Sequence, residues 1–161
     1  MKDLILWRHA EAEIGDINGS IEDDLSRQLT PKGKRQAKRM ANWLRQQQVD
    51  HFYLITSPAQ RALQTAAYLD STMHVDDAFR PSTSLNEVLS ALTQLRPTQQ
   101  QVIIVGHQPW LGELVAHFTQ SGHTQTLIKK GATWWLRLIP HSSSTQAAYA
   151  IFSVQTPSLL R

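Results

Sequence analysis

Short apolar runs that alternate with helical stripes constrain this chain more than any other feature. Leu4–Arg8 (LILWR), His51–Thr56 (HFYLIT) and Val102–Gly106 (VIIVG) have the length and side-chain types of buried strands. A shorter candidate lies near Met73–Asp76, and two more runs follow at Thr133–Ile139 and Tyr149–Val154. Between them, apolar residues recur at i, i+3, i+4 and i+7, the period of a helix face. The stripes are Ala37, Met40, Ala41 and Leu44; Ala59, Ala62, Leu63 and Ala66; Leu85, Val88, Leu89 and Leu92; and Leu111, Leu114, Val115 and Phe118. Strands alternating with helices of this length need crossover connections, so the chain is expected to be α/β, with a largely parallel sheet covered on both faces. The last two runs are joined by PHSSSTQA, too short for a parallel crossover, so they are expected to run antiparallel, with Ser142–Gln146 as a surface turn. With 161 residues, no break in composition and no internal repeat, a single domain over 1–161 is expected.

Helix starts are legible too. Thr30-Pro31 and Ser57-Pro58 each set a hydroxyl N-cap before a proline at the first helical position. Ser57 with Gln60, and Ser84 with Glu87, have the spacing of a capping box.

Composition narrows the function classes. The chain has no cysteine, which removes disulfides, thiolate metal sites and cysteine nucleophiles and suits a reducing cytoplasm. Only MKD precedes the first apolar run, which is far too short for a signal-peptide core or a membrane span, so a cytoplasmic protein without a membrane partner is expected. A net charge of +3 is compatible with anionic substrates. The cations are scattered, and the densest run, Lys32–Arg39, lies on a helix as a solvated face, so no nucleic-acid partner is expected.

In sheets of this kind ligands bind beyond the carboxyl ends of the strands, where helix-start amides favour anions. Three polar clusters fall there: Arg8-His9 after the first run, Ser57–Arg61 after the second, and Gly106–Pro109 (GHQP) after Val102–Val105. Taken singly, each His or Arg reads as an ordinary loop residue. An Arg in a first helical turn opposes the macrodipole, however, and a bound anion would offset that cost at Arg61. Two His and two Arg at one sheet edge suit phosphoryl transfer through a covalent intermediate. Guanidiniums fork onto phosphate oxygens, and a neutral imidazole attacks phosphorus. The nucleophile's other ring nitrogen must donate to a fixed acceptor, often a backbone carbonyl. The second imidazole, if protonated, adds a donor to the phosphoryl oxygens. No carboxylate cluster near these positions points to a metal.

The segments LWRHAEAE, SRQLTPKGKRQA, TSPAQRALQTA and VIIVGHQPWLGEL, in that order, resemble the histidine phosphatase (phosphoglycerate mutase-like) superfamily. The RHA triplet, the short chain and the early RxLTxxG segment are most similar to its small phosphohistidine phosphatase, SixA-like branch. The resemblance implies a three-layer α/β/α sandwich with one late antiparallel strand. It implies His9 as the phosphorylated nucleophile, Arg8, Arg61 and His107 as the phosphate pocket, and no cofactor or metal. Arg27 matches the branch's RPLT arginine, although Gln28 stands where proline is usual. It either reaches substrate from a loop or pairs with the acidic run Glu22–Asp24.

Many superfamily members use a carboxylic acid to protonate the leaving group. Glu87 is the best-placed candidate by chain position, but the capping box with Ser84 accounts for it without catalysis; Glu11 and Glu13 are near the nucleophile in sequence only. A missing acid favours phosphohistidine over an ester, since a nitrogen leaving group can be protonated from solvent. The resemblance therefore implies a protein partner carrying phosphohistidine. A small phosphate ester is the alternative substrate, and a non-catalytic phosphate-binding module a remote one. Trp110, Trp134 and Trp135 are expected in packing roles, with the last two on opposite sheet faces. His51, His74, His117, His123 and His141 are expected to be structural or surface residues.

Overall fold

The computed structural model describes residues 1–16, 18–47, 49, 51–95, 100–140 and 148–160. Its elements follow in chain order as β1 (Asp3–Arg8), α1 (Ile21–Ser26), α2 (Pro31–Gln46), β2 (Phe52–Thr56), α3 (Gln60–Ala67), β3 (His74–Val75), α4 (Leu85–Gln94), β4 (Gln101–Gly106), α5 (Trp110–Thr119), β5 (Thr133–Leu138) and β6 (Tyr149–Gln155). The strands form one sheet in the order β3-β2-β4-β1-β5-β6. β1, β2, β3 and β4 are mutually parallel, β5 is antiparallel to β1, and β6 is antiparallel to β5. Among the described strands β5 alone runs against the rest, as the short β5–β6 connection requires. The expected turn at Ser142–Gln146, with His141, lies outside the described residues.

The period-2 alternation of strand side chains builds two cores, one on each face of the sheet. Leu4, Leu6, Val102, Ile104 and Leu136 pack with Val88 and Leu92 of α4 and with Leu111, Leu114 and Val115 of α5. Ile5, Trp7, Ile103, Val105 and Trp135 pack on the opposite face with Met40, Ala41 and Leu44 of α2 and with Ala62 and Ala66 of α3. The result is a three-layer α/β/α arrangement. β1 and β4 are covered on both faces, which explains why they read as unbroken apolar runs. Truncating a fully buried side chain such as Leu6 or Ile104 would cost about 2–5 kcal/mol, so this double core fixes the strand ends where the polar clusters sit. Among the described residues no helix is long and apolar enough to cross a membrane.

Most of the expected helix starts are present. Thr30 Oγ1 accepts from the Gly33 amide at 2.9 Å, with Pro31 at the first helical position. Ser84 and Glu87 form a complete capping box. Ser57 does not cap. Its amide still donates to the Val105 carbonyl across the sheet, so the chain stays extended, and α3 starts two residues after Pro58 with Ala59 as an N-cap lacking a side-chain bond. Ser57 Oγ instead accepts from the Ala59 amide, and the box with Gln60 is not formed. α1 was not expected, because IEDDLS buries no residue and has no apolar period; a Ser20–Asp23 capping box holds it. Two glycines allow close approach beside the strand ends. A Cβ on Gly106 would lie 2.1 Å from the Trp110 ring, and one on Gly33 would lie 1.9 Å from the Glu11 carbonyl oxygen.

Candidate active site

β1 and β4 are adjacent and parallel, with Arg8 in register with Gly106, so the residues that leave these strands, His9 and His107, emerge side by side. Their ring centroids are 5.0 Å apart. The turn after β1 is held from three sides. The His9 amide donates to the Gly106 carbonyl, the Gly131 amide reaches the carbonyls of Arg8 and His9, and the Ala10 amide donates to Thr65 Oγ1 at 3.1 Å. Thr65 in turn donates to the Arg61 carbonyl at 2.7 Å, tying this turn to the first turn of α3. The sequence reading missed that role of Thr65, although it stands in the same QRALQT segment as Arg61.

His9 is 6 % exposed and His107 2 %. The Nδ1 of His9 lies 2.7 Å from the Ala10 carbonyl oxygen. A carbonyl can only accept, so Nδ1 carries the proton and Nε2 presents its lone pair. Burial lowers the His9 pKa to about 3; the Ala10 bond opposes that, and the charges of Arg61, Arg8 and Lys130 add to it. Burial, followed by His9, Arg61, Arg8 and Arg27, lowers His107 to about 2. Both rings are therefore neutral at ordinary pH, and a neutral His107 still offers one N–H. Neither of its ring nitrogens has a hydrogen-bond partner in the protein. Trp110 packs edge-on to His107 at 6.4 Å between centroids and donates its indole N–H to the Arg80 carbonyl, so it supports the ring from within the core.

Both arginines are anchored at one end and open at the other. Arg8 donates from Nη1 to the Ile128 carbonyl at 2.7 Å, while its buried Nε has no partner. Arg61, 3 % exposed, donates to Asp24 from Nη1 and Nη2, and its buried Nε is likewise unpartnered. Four buried nitrogens on Arg8, Arg61 and His107, three of them donors with His107 neutral, thus lack partners beside a nucleophile-competent His9. An oxyanion with several acceptor oxygens would satisfy such a set.

Arg27 forms the ion pair open to it from the sequence. Its Nη1 meets Asp24 Oδ1 at 2.8 Å and its Nε donates to the Glu13 carbonyl at 2.8 Å. Glu11 pairs with Lys32 at 2.8 Å and accepts from Thr30 Oγ1 at 3.0 Å, so its carboxylate is turned to the start of α2. The Glu87 carboxylate accepts from the Ser84 amide and hydroxyl, at 2.9 Å and 2.6 Å, and these bonds hold its pKa below the usual range. A general acid at neutral pH needs the opposite shift. Glu87 also lines a separate surface cavity with Asp76, Asp77 and Thr83. His74 stacks on Tyr53 and His117 lies edge-on to Phe118, while His51 and His123 are exposed. Trp134 and Trp135 pack on opposite faces of the sheet, as alternation requires.

Comparison with known proteins shows the family. The sequence model of the histidine phosphatase superfamily (branch 1) matches residues 4–87. An uncharacterized protein of Picosynechococcus sp. is 33% identical over 137 residues, 80% of this chain and 81% of that protein. The phosphohistidine phosphatase SixA of Escherichia coli is 27% identical over 120 residues, 70% of this chain and 71% of its own length. A solved structure of the protein histidine phosphatase SixA complexed with tungstate superposes with a TM-score of 0.77 at 26% identity, covering 99% of both chains. The chain belongs to the histidine phosphatase superfamily (branch 1) and is a phosphatase.

Proposed function

We propose that this phosphatase removes the phosphoryl group from phosphohistidine carried by a partner protein, without a metal, through a phosphorylated His9. One observation carries the proposal. The Ala10 carbonyl fixes the His9 tautomer, and Nε2 is left free beside four buried, unpartnered nitrogens of Arg8, Arg61 and His107. In the first step Nε2 of His9 attacks phosphorus, the P–N bond to the substrate imidazole breaks, and that imidazole leaves as it gains a proton from solvent. The two guanidiniums and the His107 N–H stabilise the charge on the equatorial oxygens. In the second step water attacks the phosphorus of phospho-His9, inorganic phosphate departs, and His9 regains its neutral form. In this proposal the stabilising charge is that of the Arg8 and Arg61 side chains, with the His107 N–H as a further donor.

The proposed substrate class is supported by the engagement of two described carboxylates away from any leaving-group position. Glu87 is committed to its capping box and Asp24 to two arginines, each with a lowered pKa. An alkoxide leaving group needs a placed proton donor, whereas a phosphoramidate nitrogen does not. The relative named above as a phosphohistidine phosphatase, and the neighbour solved with tungstate, a tetrahedral oxyanion, support the same reading. A cytoplasmic location belongs to this proposal and suits the cysteine-free sequence.

The test is incubation with a phosphohistidine-bearing phosphotransfer domain in the presence of a chelator. Release of inorganic phosphate is expected, with His9→Ala abolishing it. Turnover that survives in His9→Ala, or that requires an added divalent cation, would overturn the mechanism.

A further inference from the structure

Arg61 is held in an unusual way for a group that must grip a mobile anion. Asp24, from the short acidic helix α1, accepts from Nη1 through its backbone carbonyl and from Nη2 through Oδ2 at 2.9 Å. These two contacts occupy the terminal edge of the guanidinium. Of its N–H donors, the Nε–H and the remaining Nη2 hydrogen share the lateral edge, and Nε is the buried nitrogen without a partner. The lateral pair is a ready fork for two phosphate oxygens. Asp24 is itself fixed, because Oδ1 is taken by Arg27 at 2.8 Å and Arg27 Nε is tied to the Glu13 carbonyl. Partial burial pushes the Asp24 carboxyl up, but the hydrogen bonds and charges of Arg27 and Arg61 outweigh it and leave the group ionised.

We infer that Asp24 is a positioning residue: it clamps the terminal edge of Arg61 so that the lateral edge is presented to the phosphoryl group, with Arg27 balancing the carboxylate's charge. The inference rests on the reading of Arg61 as a phosphate-binding group. In its absence a long side chain would lose rotamer freedom on each substrate encounter; held by Asp24, the fork is ordered beforehand. The arrangement also gives the otherwise unburied α1 a reason to form, since α1 carries the only carboxylate that the described structure pairs with Arg61.

A double-mutant cycle tests the clamp, with kcat/KM on the phosphohistidine-bearing domain and inhibition by inorganic phosphate as readouts. Asp24→Ala is expected to lower kcat/KM about tenfold and weaken phosphate inhibition in parallel, yet to change kcat/KM by less than about twofold in the Arg61→Ala background. Thermal unfolding of each variant separates this from a merely structural effect. If Asp24→Ala does not fold, the same cycle with Asp24→Asn decides, since Asn keeps the side-chain volume and the backbone carbonyl. Equal losses in both backgrounds would overturn the clamp while leaving the phosphate pocket intact. A rise in kcat/KM in Asp24→Ala would also overturn it, by showing that the carboxylate competes with phosphate. An Arg61→Ala variant with unchanged kcat/KM would overturn the pocket reading first and the clamp with it.

Discussion

Lowering the pH from 7 to 5 should destabilise the fold through two buried residues of the proposed active site. His9 and His107 are buried and neutral, with pKa values lowered from the ordinary 6.5 to about 3 and about 2. In the unfolded chain both would titrate near 6.5. Above that value neither state binds the protons and the rings contribute nothing to the pH dependence. Below it the unfolded state takes up protons that the folded state refuses, so stability is lost as the pH falls from 6.5 toward 3. At pH 5 the gap is about 1.5 pH units, or about 2 kcal/mol for each ring and about 4 kcal/mol for the pair. For a chain of 161 residues that corresponds to a fall in Tm of about 8–16 °C. The lowered carboxyl groups of Asp3 and Asp24 act in the same direction, but only as the pH drops toward or below their ordinary 3.8, outside this window. Urea or thermal unfolding followed by tryptophan fluorescence, with Trp7 and Trp110 fully buried, measures the change. Buffers must be free of phosphate and sulfate, because an anion between the rings would favour their protonated forms. His107→Gln, which cannot titrate, should halve the loss between pH 7 and 5. A wild-type loss below about 1 kcal/mol, or an equal loss in His107→Gln, would refute the claim that the rings are held neutral.

The remaining predictions concern catalysis. Because the free enzyme keeps His9 neutral down to about pH 3, kcat/KM between pH 7 and 5, on protein shown to be folded at both, should carry only the ionisations of the phosphorylated substrate, measured separately on the substrate; a further acid limb near 6.5 would mean that His9 titrates normally. Glu87→Gln should leave turnover of phosphate esters within about twofold, under ~0.4 kcal/mol in barrier. It should also cost less than about 1 kcal/mol of stability, since Gln can keep the capping box. A tenfold or larger loss on esters would restore Glu87 as the leaving-group acid, and an ester as substrate.

What could be read from the sequence differed between strand ends and loops. The β1 and β4 runs are buried on both faces, so their apolar content alone located the ends from which His9 and His107 emerge. The parallel register that puts those ends together follows from the crossover lengths. Arg8 and Arg61 were legible for the same reason, Arg8 closing the β1 run and Arg61 standing in the first turn of α3. α1 was not, because its six residues bury nothing and carry no apolar period. The acidic run Glu22–Asp24 was visible as a partner for Arg27, but its reach to Arg61, 37 residues away, is a tertiary fact that no local pattern encodes. Ser57 misled for a related reason. The rule for a hydroxyl before a proline is local, and the sheet bond from its amide to Val105 overrode it. Glu87 was ambiguous in sequence because capping and acid catalysis use the same residue at the same helix position; only the direction of its carboxylate separates them.

The four unpartnered nitrogens also bear on why such a pocket is restricted to one small region. This chain satisfies its polar groups elsewhere with some care: Thr30 and Ser84 cap their helices, and the buried Asp3 carboxylate is met by Arg137 at 2.7 Å. Five buried side-chain nitrogens or oxygens among the described residues lack a protein partner, and four of them belong to Arg8, Arg61 and His107. The fifth is the indole nitrogen of Trp135, which is outside the site. In the proposed mechanism the Nε–H groups of Arg8 and Arg61 and the single His107 N–H are oriented before substrate arrives, so an oxyanion would meet them without reorganising the pocket. A single tetrahedral anion would then be met at the ends of β1 and β4 and the start of α3, which is why the neutral rings and half-anchored guanidiniums would serve together rather than separately.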